Sequence, residues 1–289
     1  MTVNILITGK SSYVGNQLVT WLKQWPNEYN VDSISLRDEE WKKHDFSCYE
    51  VIIHMAAIVH KKEKANAKGI YLKINRDLAI EVAMKAKDSG VKHFIFMSSM
   101  SVYGLEGKVN ENIVINKTTL CKPTSLYGQS KLEAEKELVK IQSNNFKIAI
   151  IRAPMIYGPN CQGNYQKLKK LITIVPIFPD INNKRSMIYI DNLTEFLRII
   201  IINQNSGVFL PQNSEYVNTS SLVKSIALQH KKKILFSYLL GKILLISGKR
   251  VNTINKVFGN LSYDKDASNL NFKYNIISFK ESVKKTEEI

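Results

Sequence analysis

The sequence predicts an α/β protein built on a doubly wound parallel sheet, with a smaller lobe towards the C-terminus. Three observations carry this: apolar runs that alternate with helical patterns, a glycine turn after the first run, and a loosening of the pattern after Arg152. VNILIT leads into VGNQLVTWLKQW, and VDSISL follows. YEVIIHMAA then precedes YLKINRDLAIEVAMKAKDSG, VKHFIFMSS precedes SLYGQSKLEAEKELVKIQ, and FKIAIIRAP closes the series. Short, continuously apolar strands joined by crossover helices are the mark of a sheet covered on both faces. Ligands of such sheets bind beyond the carboxyl ends of the strands, so residues there carry the functional weight.

Beyond Arg152, Pro- and Asn-rich stretches such as APMIYGPNCQGN and VPIFPDINNKR leave the sheet, and SMIYIDNLTEFLRIII returns to it. The expected division is 1–152 with about 187–212 as the nucleotide-binding domain, and 153–186 with 213–289 as the second lobe. At 289 residues the chain can bury a large core. Cys48, Cys121 and Cys161 have no paired spacing, which points to reduced thiols in the cytoplasm and to neither disulfide nor metal site. Met1 to Ile7 runs straight into a strand, with no export signal. The net charge of +16 comes from scattered lysines without a nucleic-acid-binding motif, so a cationic surface is expected and nucleic acid is not. The apolar stretch Ile234–Lys249 is too short for a span of about 20 residues and is broken by Gly241, Lys242 and Ser247. It reads as packed helix, with peripheral membrane contact as the lesser alternative.

The first turn, TGKSSYVG, contains a Gly-Lys-Ser like the end of a triphosphate-binding loop. Such a loop needs glycine five positions before Gly9, where Asn4 stands. A dinucleotide loop places three glycines at positions 9, 12 and 15; here they are Gly9, Ser12 and Gly15. Gly9 suits the tight turn and Gly15 the close packing of helix on strand. Lys10, Ser12, Tyr13 and Val14 complete a candidate phosphate cradle at a helix N-terminus, with an ordinary strand-to-helix turn as the alternative. Arg37 follows the second strand where an acidic residue would hold a ribose hydroxyl, and its guanidinium favours a 2'-phosphate, hence NADP over NAD, with Lys10 adding charge. Asp38 beside it opposes that reading.

Tyr127 and Lys131 lie four apart, on one face of a helix. A phenol near pKa 10 becomes useful in proton transfer at neutral pH when an ammonium stabilises its phenolate. Ser98 and Ser99 emerge at the carboxyl end of HFIF, where a hydroxyl can bond a substrate oxygen or cap a turn.

Taken in order, TGKSSYVG, HDF, VIIHMAA, KINRDLAIEVA, FIFMSSMSVYG, YGQSK, RAPMIYGP, RSMIYIDN and FKYNIISFKESV resemble the extended short-chain dehydrogenase/reductase superfamily, in its nucleotide-sugar epimerase, dehydratase and reductase branch. The resemblance covers almost the whole chain and implies a Rossmann-type fold. It makes Tyr127 the catalytic acid/base, Lys131 the residue that lowers its pKa and holds the nicotinamide ribose, and Ser99 the partner of the reacting sugar oxygen. It places Asp45 near the adenine, Ala56 and Ala57 along the cofactor, and Asn75 as an organiser of the active-site backbone. Arg185 matches the arginine that contacts the diphosphate of a nucleotide sugar, with Tyr157 and Asn164 in the same substrate region.

The implied reaction is NADPH-dependent reduction of the C4 ketone of a UDP-4-keto-6-deoxy-N-acetylhexosamine. Arg37 favours a reductase, and Ser99-Met100 replaces the Asp-Glu pair of 4,6-dehydratases. The alternatives are an NAD-dependent UDP-hexose 4-epimerase and, in another class, a non-catalytic NADP-binding regulator. A UDP-sugar is the expected partner, and relatives leave a homodimer open.

Overall fold

The structure is a computed structural model and describes residues 2–59, 67–247, 252–268 and 272–288. The chain forms two compact units: Met1–Gly104 with Leu120–Ala153 and Thr194–Leu210, and Leu105–Thr119 with Pro154–Leu193 and Pro211–Ile289.

In chain order the elements are β1 (Val3–Thr8), α1 (Tyr13–Leu22), β2 (Tyr29–Ile34), β3 (Val51–His54), α2 (Ala67–Leu72), α3 (Leu78–Asp88) and β4 (His93–Ser99). Then come β5 (Val114–Ile115), α4 (Leu126–Ile141), β6 (Lys147–Ala153), β7 (Met155–Tyr157), α5 (Asn164–Ile174), β8 (Ile177–Pro179), β9 (Met187–Tyr189) and α6 (Ile190–Ile202). The chain continues with β10 (Gly207–Phe209), α7 (Thr219–Gln229), β11 (Leu235–Ser237), α8 (Tyr238–Ser247), α9 (Asn252–Phe258), β12 (Ser262–Tyr263), α10 (Lys265–Ser268) and α11 (Phe279–Glu287). A π-helical turn, Lys73–Asp77, joins α2 to α3.

The first unit holds a six-stranded sheet in the order β10-β6-β4-β3-β1-β2, every pair parallel. Its apolar runs are buried on both faces: Leu6, Ile52, Phe94, Phe96 and Ile148 pack with Ala79, Val82, Ala83 and Ala86 of α3 and Ala134 and Leu138 of α4. The small alanines on α3 let that helix lie close to the strands. Because β2 lies on one side of β1 and β3 on the other, the winding reverses at β1, which opens a ligand crevice beyond its carboxyl end. The second strand ends earlier than the run VDSISL suggests. Both Gly9 and Lys10 donate backbone N-H to the Ile34 carbonyl, at 2.9 and 3.1 Å, and pairing stops there. Arg37 therefore stands three residues past the strand.

Among the described residues the second unit is built from helices and three two-stranded pairs, β7 with β9, β8 with β11 and β5 with β12. Phe178 of β8 and Phe236 of β11 face inwards with Phe258 of α9, ring centroids 6.1 and 5.6 Å from Phe178. Among the described residues no helix is long and apolar enough to cross a membrane, and no group of three His, Cys, Asp or Glu side chains is placed to hold a metal ion. The apolar stretch that begins at Ile234 forms β11 and α8; its last two residues, Gly248 and Lys249, lie outside the described residues.

Candidate active site

The turn after β1 is shaped by close approach. Gly9 has φ +100°, and a Cβ there would come within 2.8 Å of the Ala56 backbone nitrogen at the end of β3. Ala56 and Ala57 thus pass directly beside the turn. Gly15 faces Ile7 of β1, where an added Cβ would meet the Ile7 side chain at 3.1 Å. Ser12 differs in kind. Its φ of −67° needs no glycine, and its hydroxyl oxygen accepts the Gly15 N-H at 3.2 Å as the N-cap of α1. The residue that looked like a lost glycine is a helix cap, and Tyr13 and Val14 form the first turn behind it.

Arg37 reaches back over this turn, its Nη2 donating to the Ser11 hydroxyl at 3.3 Å. Asp38 turns away: its carboxylate accepts the Glu40 N-H at 3.2 Å and caps the short 3-10 turn Glu39–Lys43. Lys10 is exposed on the turn. Asp45 is exposed as well, both carboxylate oxygens accepting from Ser47, which holds its acid below the usual carboxylate range.

Tyr127 enters through the first turn of α4. Ser125 caps that helix by accepting the Gly128 N-H at 3.1 Å, and Gly128 itself is pressed against the Ser101 carbonyl, where a Cβ would come within 2.5 Å. This contact brings the helix onto the loop after β4, where the Ser99 hydroxyl caps a 3-10 turn, accepting the Ser101 N-H and donating to the Ser101 hydroxyl, each at 3.1 Å. Burial pushes the Tyr127 phenol up to about 12, against the hydrogen bond with Ser99 that pulls it down. Lys131 is buried, donates to the Met97 carbonyl at 2.7 Å and lies 4.4 Å from the centre of the Phe96 ring. Burial lowers its ammonium to about 7, opposed by the charge of Glu135. Lys131 is not among the groups that shift the Tyr127 phenol here. Desolvation dominates both residues, and the ammonium is held by a main-chain oxygen.

Asn75, fully buried on the π-helical turn, clamps the segment after β3: its Oδ1 accepts the Ile58 N-H at 2.8 Å and its Nδ2 donates to the Ile58 carbonyl at 3.1 Å. The same amide donates to Ser130 of α4 at 3.0 Å, and Ser130 donates to the Tyr127 carbonyl at 2.9 Å. The segment after β3 and the turn carrying Tyr127 are thus tied through one side chain. Asn75 was visible in the sequence only by resemblance.

A second buried set escaped the sequence. Ser98 donates to Glu135, which forms a two-pronged pair with Arg152 of β6, closest at 2.6 Å, and Arg152 donates to the Tyr103 hydroxyl at 2.9 Å. Burial works to lower the Arg152 pKa, and the Glu135 hydrogen bonds overcome it and raise it. Glu135 lies one turn beyond Lys131, and that i, i+4 spacing was its available signal.

In the second unit, Arg185 is fixed by its backbone between Val217 and Leu261, and its Nη1 donates to the Gly259 carbonyl at 2.8 Å. Gly259 and Gly107 touch backbone to backbone, a Cβ on Gly259 meeting the Gly107 carbonyl carbon at 2.2 Å. Burial lowers the Arg185 pKa, and among the described residues no carboxylate lies within ion-pair distance. Asn164 opens α5 and is exposed. Tyr157, expected in the substrate region, is instead a core residue with no exposed surface, stacked on Tyr165 at 5.6 Å. Its hydroxyl accepts from Asn213 at 3.0 Å and lies 2.6 Å from Ser282, so packing has taken every contact a substrate would need.

The residues around Gly9 fit a dinucleotide. The turn is held so close to Ala56 that a side chain cannot fill it, a helix N-terminus faces the crevice, and a cationic side chain lies over the loop. The profile of the NAD dependent epimerase/dehydratase family matches residues 5–209. A UDP-glucose 4-epimerase from Vibrio cholerae is 30% identical over 261 residues, covering 79% of this chain and 76% of that protein. The UDP-glucuronic acid 4-epimerase of Bacillus cereus, solved in complex with NAD, superposes with a TM-score of 0.75 at 18% identity, over 99% of this chain and 97% of that one. The dTDP-4-dehydrorhamnose reductase of Bacillus anthracis str. Ames, in complex with NADP, gives 0.65 at 19% identity, over 82% and 83%. Sheet topology, glycine turn and sequence profile agree, and the chain belongs to the NAD dependent epimerase/dehydratase family.

Proposed function

We propose that the protein is an NADPH-dependent reductase of a UDP-4-keto-6-deoxy-N-acetylhexosamine, acting at the C4 ketone. The observation that carries this reading is the pair Arg37 and Asp38. The cation lies over the dinucleotide turn while the carboxylate that would favour a ribose hydroxyl is committed to Glu40. The first unit holds the dinucleotide, with Gly9, Ser12, Gly15, Ala56 and Ala57 along it and Arg37 and Lys10 at the 2'-phosphate. Arg185 is our candidate diphosphate contact: its guanidinium is desolvated, and among the described residues no carboxylate lies within ion-pair distance.

Bound nicotinamide dinucleotide supplies the two-electron redox chemistry. Ser99 donates a hydrogen bond to the sugar C4 oxygen, and Tyr127 delivers a proton to it as the ketone becomes an alcohol. Lys131, one turn further along the same helix, is the residue we assign to stabilise the phenolate and to hold the nicotinamide ribose. Asn75 keeps the segment after β3 and the Tyr127 turn in register. UDP is the nucleotide because the 30% identical relative acts on a UDP-sugar.

A 4-epimerase is the second reading, and the same relative favours it. The two separate in one assay. With NADPH and a UDP-4-keto sugar, stoichiometric loss of NADPH supports reduction; isomer formation from UDP-glucose or UDP-N-acetylglucosamine without added NADPH supports epimerisation and overturns the first reading. Arg37→Ala is expected to weaken NADPH about tenfold or more while leaving NADH nearly unchanged, the loss of one charge-assisted phosphate contact. Equal weakening of both cofactors would remove Arg37 from the 2'-phosphate.

A further inference from the structure

The second unit carries an apolar surface on the outer side of β8, β11 and α8. Register partners Ile177 and Leu235 stand side by side on the face of the β8–β11 pair opposite Phe178 and Phe236. Leu235 is 64% exposed and the chain runs directly into α8, where Leu239 is 70% and Ile246 78% exposed. Seven residues apart, these two share one helical face. The opposite face is pinned: Gly241 is buried against the Asp180 carbonyl, where a Cβ would come within 2.2 Å. Ile174, 77% exposed at the end of α5, joins the same surface, because Lys232 just before β11 donates to the neighbouring Thr173 carbonyl. The side chains are therefore not a packing defect of a loose helix, since the helix is seated on its glycine side.

The segments that form this surface are rich in cations, with Glu106 and Glu111 the acidic residues of the neighbouring segment, which reaches α8 through Asn110 and the Leu245 carbonyl. From Tyr216 to Tyr263 the sequence has eight Lys and Arg and no Asp or Glu, and Asp180 is the single acidic residue between Pro154 and Ile190. Lys231, Lys233 and Lys242 are exposed, and Lys242 lies 4.8 Å from the centre of the exposed Tyr238 ring. Aliphatic side chains, an amphipathic aromatic and a lysine rim together match an anionic bilayer surface: the apolar groups enter the acyl boundary while the ammonium groups meet the headgroups. A second copy of the chain suits it poorly. A two-fold contact on this face would set lysine rim against lysine rim, and the neighbouring Glu106 and Glu111 lie near Lys256 and Lys108.

We propose that the outer face of β8, β11 and α8 docks the protein peripherally on anionic lipid, with Leu235, Leu239 and Ile246 entering the bilayer interface and Lys231, Lys233 and Lys242 at the headgroups. The test is sedimentation of the full chain with phosphatidylcholine vesicles, with and without about one quarter phosphatidylglycerol. Binding is expected to the anionic vesicles only and to weaken as salt rises. Leu239→Gln with Ile246→Gln is expected to cut it about tenfold or more at an unchanged circular-dichroism spectrum. Tyr238→Trp, a milder change, should show a blue-shifted emission over the wild-type signal when anionic vesicles are added. No binding to anionic vesicles overturns the proposal, as does binding that the double variant leaves intact, or bound Tyr238→Trp protein whose added emission stays unshifted. Ultracentrifugation separates the remaining occupant: a wild-type dimer that the double variant converts to monomer, with no vesicle binding, makes this face a self-interface and overturns lipid docking.

Discussion

Helix α4 buries Ser130, Lys131 and Glu135 in the first unit, whereas α8 in the second turns Leu239 and Ile246 outwards. Each departs from the ordinary placement of apolar residues inside and charged residues outside, and in opposite senses. The buried polar face is fully engaged: Ser130 bonds Asn75 and Tyr127, Lys131 bonds Met97, and Glu135 bonds Ser98 and Arg152. The exposed side chains Leu239 and Ile246 are apolar and take part in no such hydrogen-bond network. What the difference teaches is that polar groups inside are kept by a network that fixes geometry, while exposed apolar groups are a surface open to contact.

The comparison breaks most sharply at the chemical group. Tyr127→Phe is expected to lower turnover by about 10²- to 10⁴-fold with unfolding and nucleotide-sugar affinity nearly unchanged, measured by steady-state kinetics and calorimetry. Full turnover in that variant would leave α4 with a structural network only. Next is Glu135→Gln, which leaves the Arg152 guanidinium buried without its carboxylate and should destabilise by about 3–5 kcal/mol in urea unfolding.

Lys131→Met tests the buried cation through pH. In the folded protein the ammonium titrates at about 7, against the ordinary 10.5 when unfolded. Between these values the unfolded chain holds a proton that the folded chain has released, so stability rises with pH across that window. Wild type should therefore gain stability relative to Lys131→Met from pH 7 towards pH 10.5, by on the order of 2–4 kcal/mol, followed by chemical denaturation along a pH series. A difference that stays flat with pH would place a charged or solvated lysine there instead. The smallest effect belongs to α8. Leu239→Gln with Ile246→Gln should change stability by no more than about 0.5 kcal/mol per substitution, because the residues are 70% and 78% exposed. A loss of several kcal/mol would erase the contrast between the two helices.

The strands of the first unit were legible because their signal is local. VNILIT, VIIH, HFIFMSS and KIAIIRA are apolar along their length, and all four are strands of the main sheet. The turn glycine Gly9, the strand end at Ser99 and the one-helix placement of Tyr127 and Lys131 were legible because each follows from a local pattern or an i, i+4 spacing. Ser12 reads in the sequence only as the middle position of the glycine turn, and its capping of α1 shows once φ and the Gly15 hydrogen bond are known. Tyr157 was misread: an aromatic after a strand gives no hint that Asn213 and Ser282, far along the chain, will bury it. The same non-locality hid the pairing of Glu135 with Arg152 and of Gly107 with Gly259, as well as two-residue strands such as Val114–Ile115 with Ser262–Tyr263. Such contacts have no periodicity of their own to read.

The π-helical turn at Lys73–Asp77 is, in genetic terms, an insertion whose content is its length. Removing one residue from that turn would restore ordinary α-helical winding and swing the preceding face by about 100°. Asn75 would then leave Ile58 and Ser130 together, though every amino acid that makes the clamp would still be encoded. A single-codon deletion here is thus a more complete lesion than most substitutions, and a chain could lose the site through reading its spacing wrongly while keeping all of its letters.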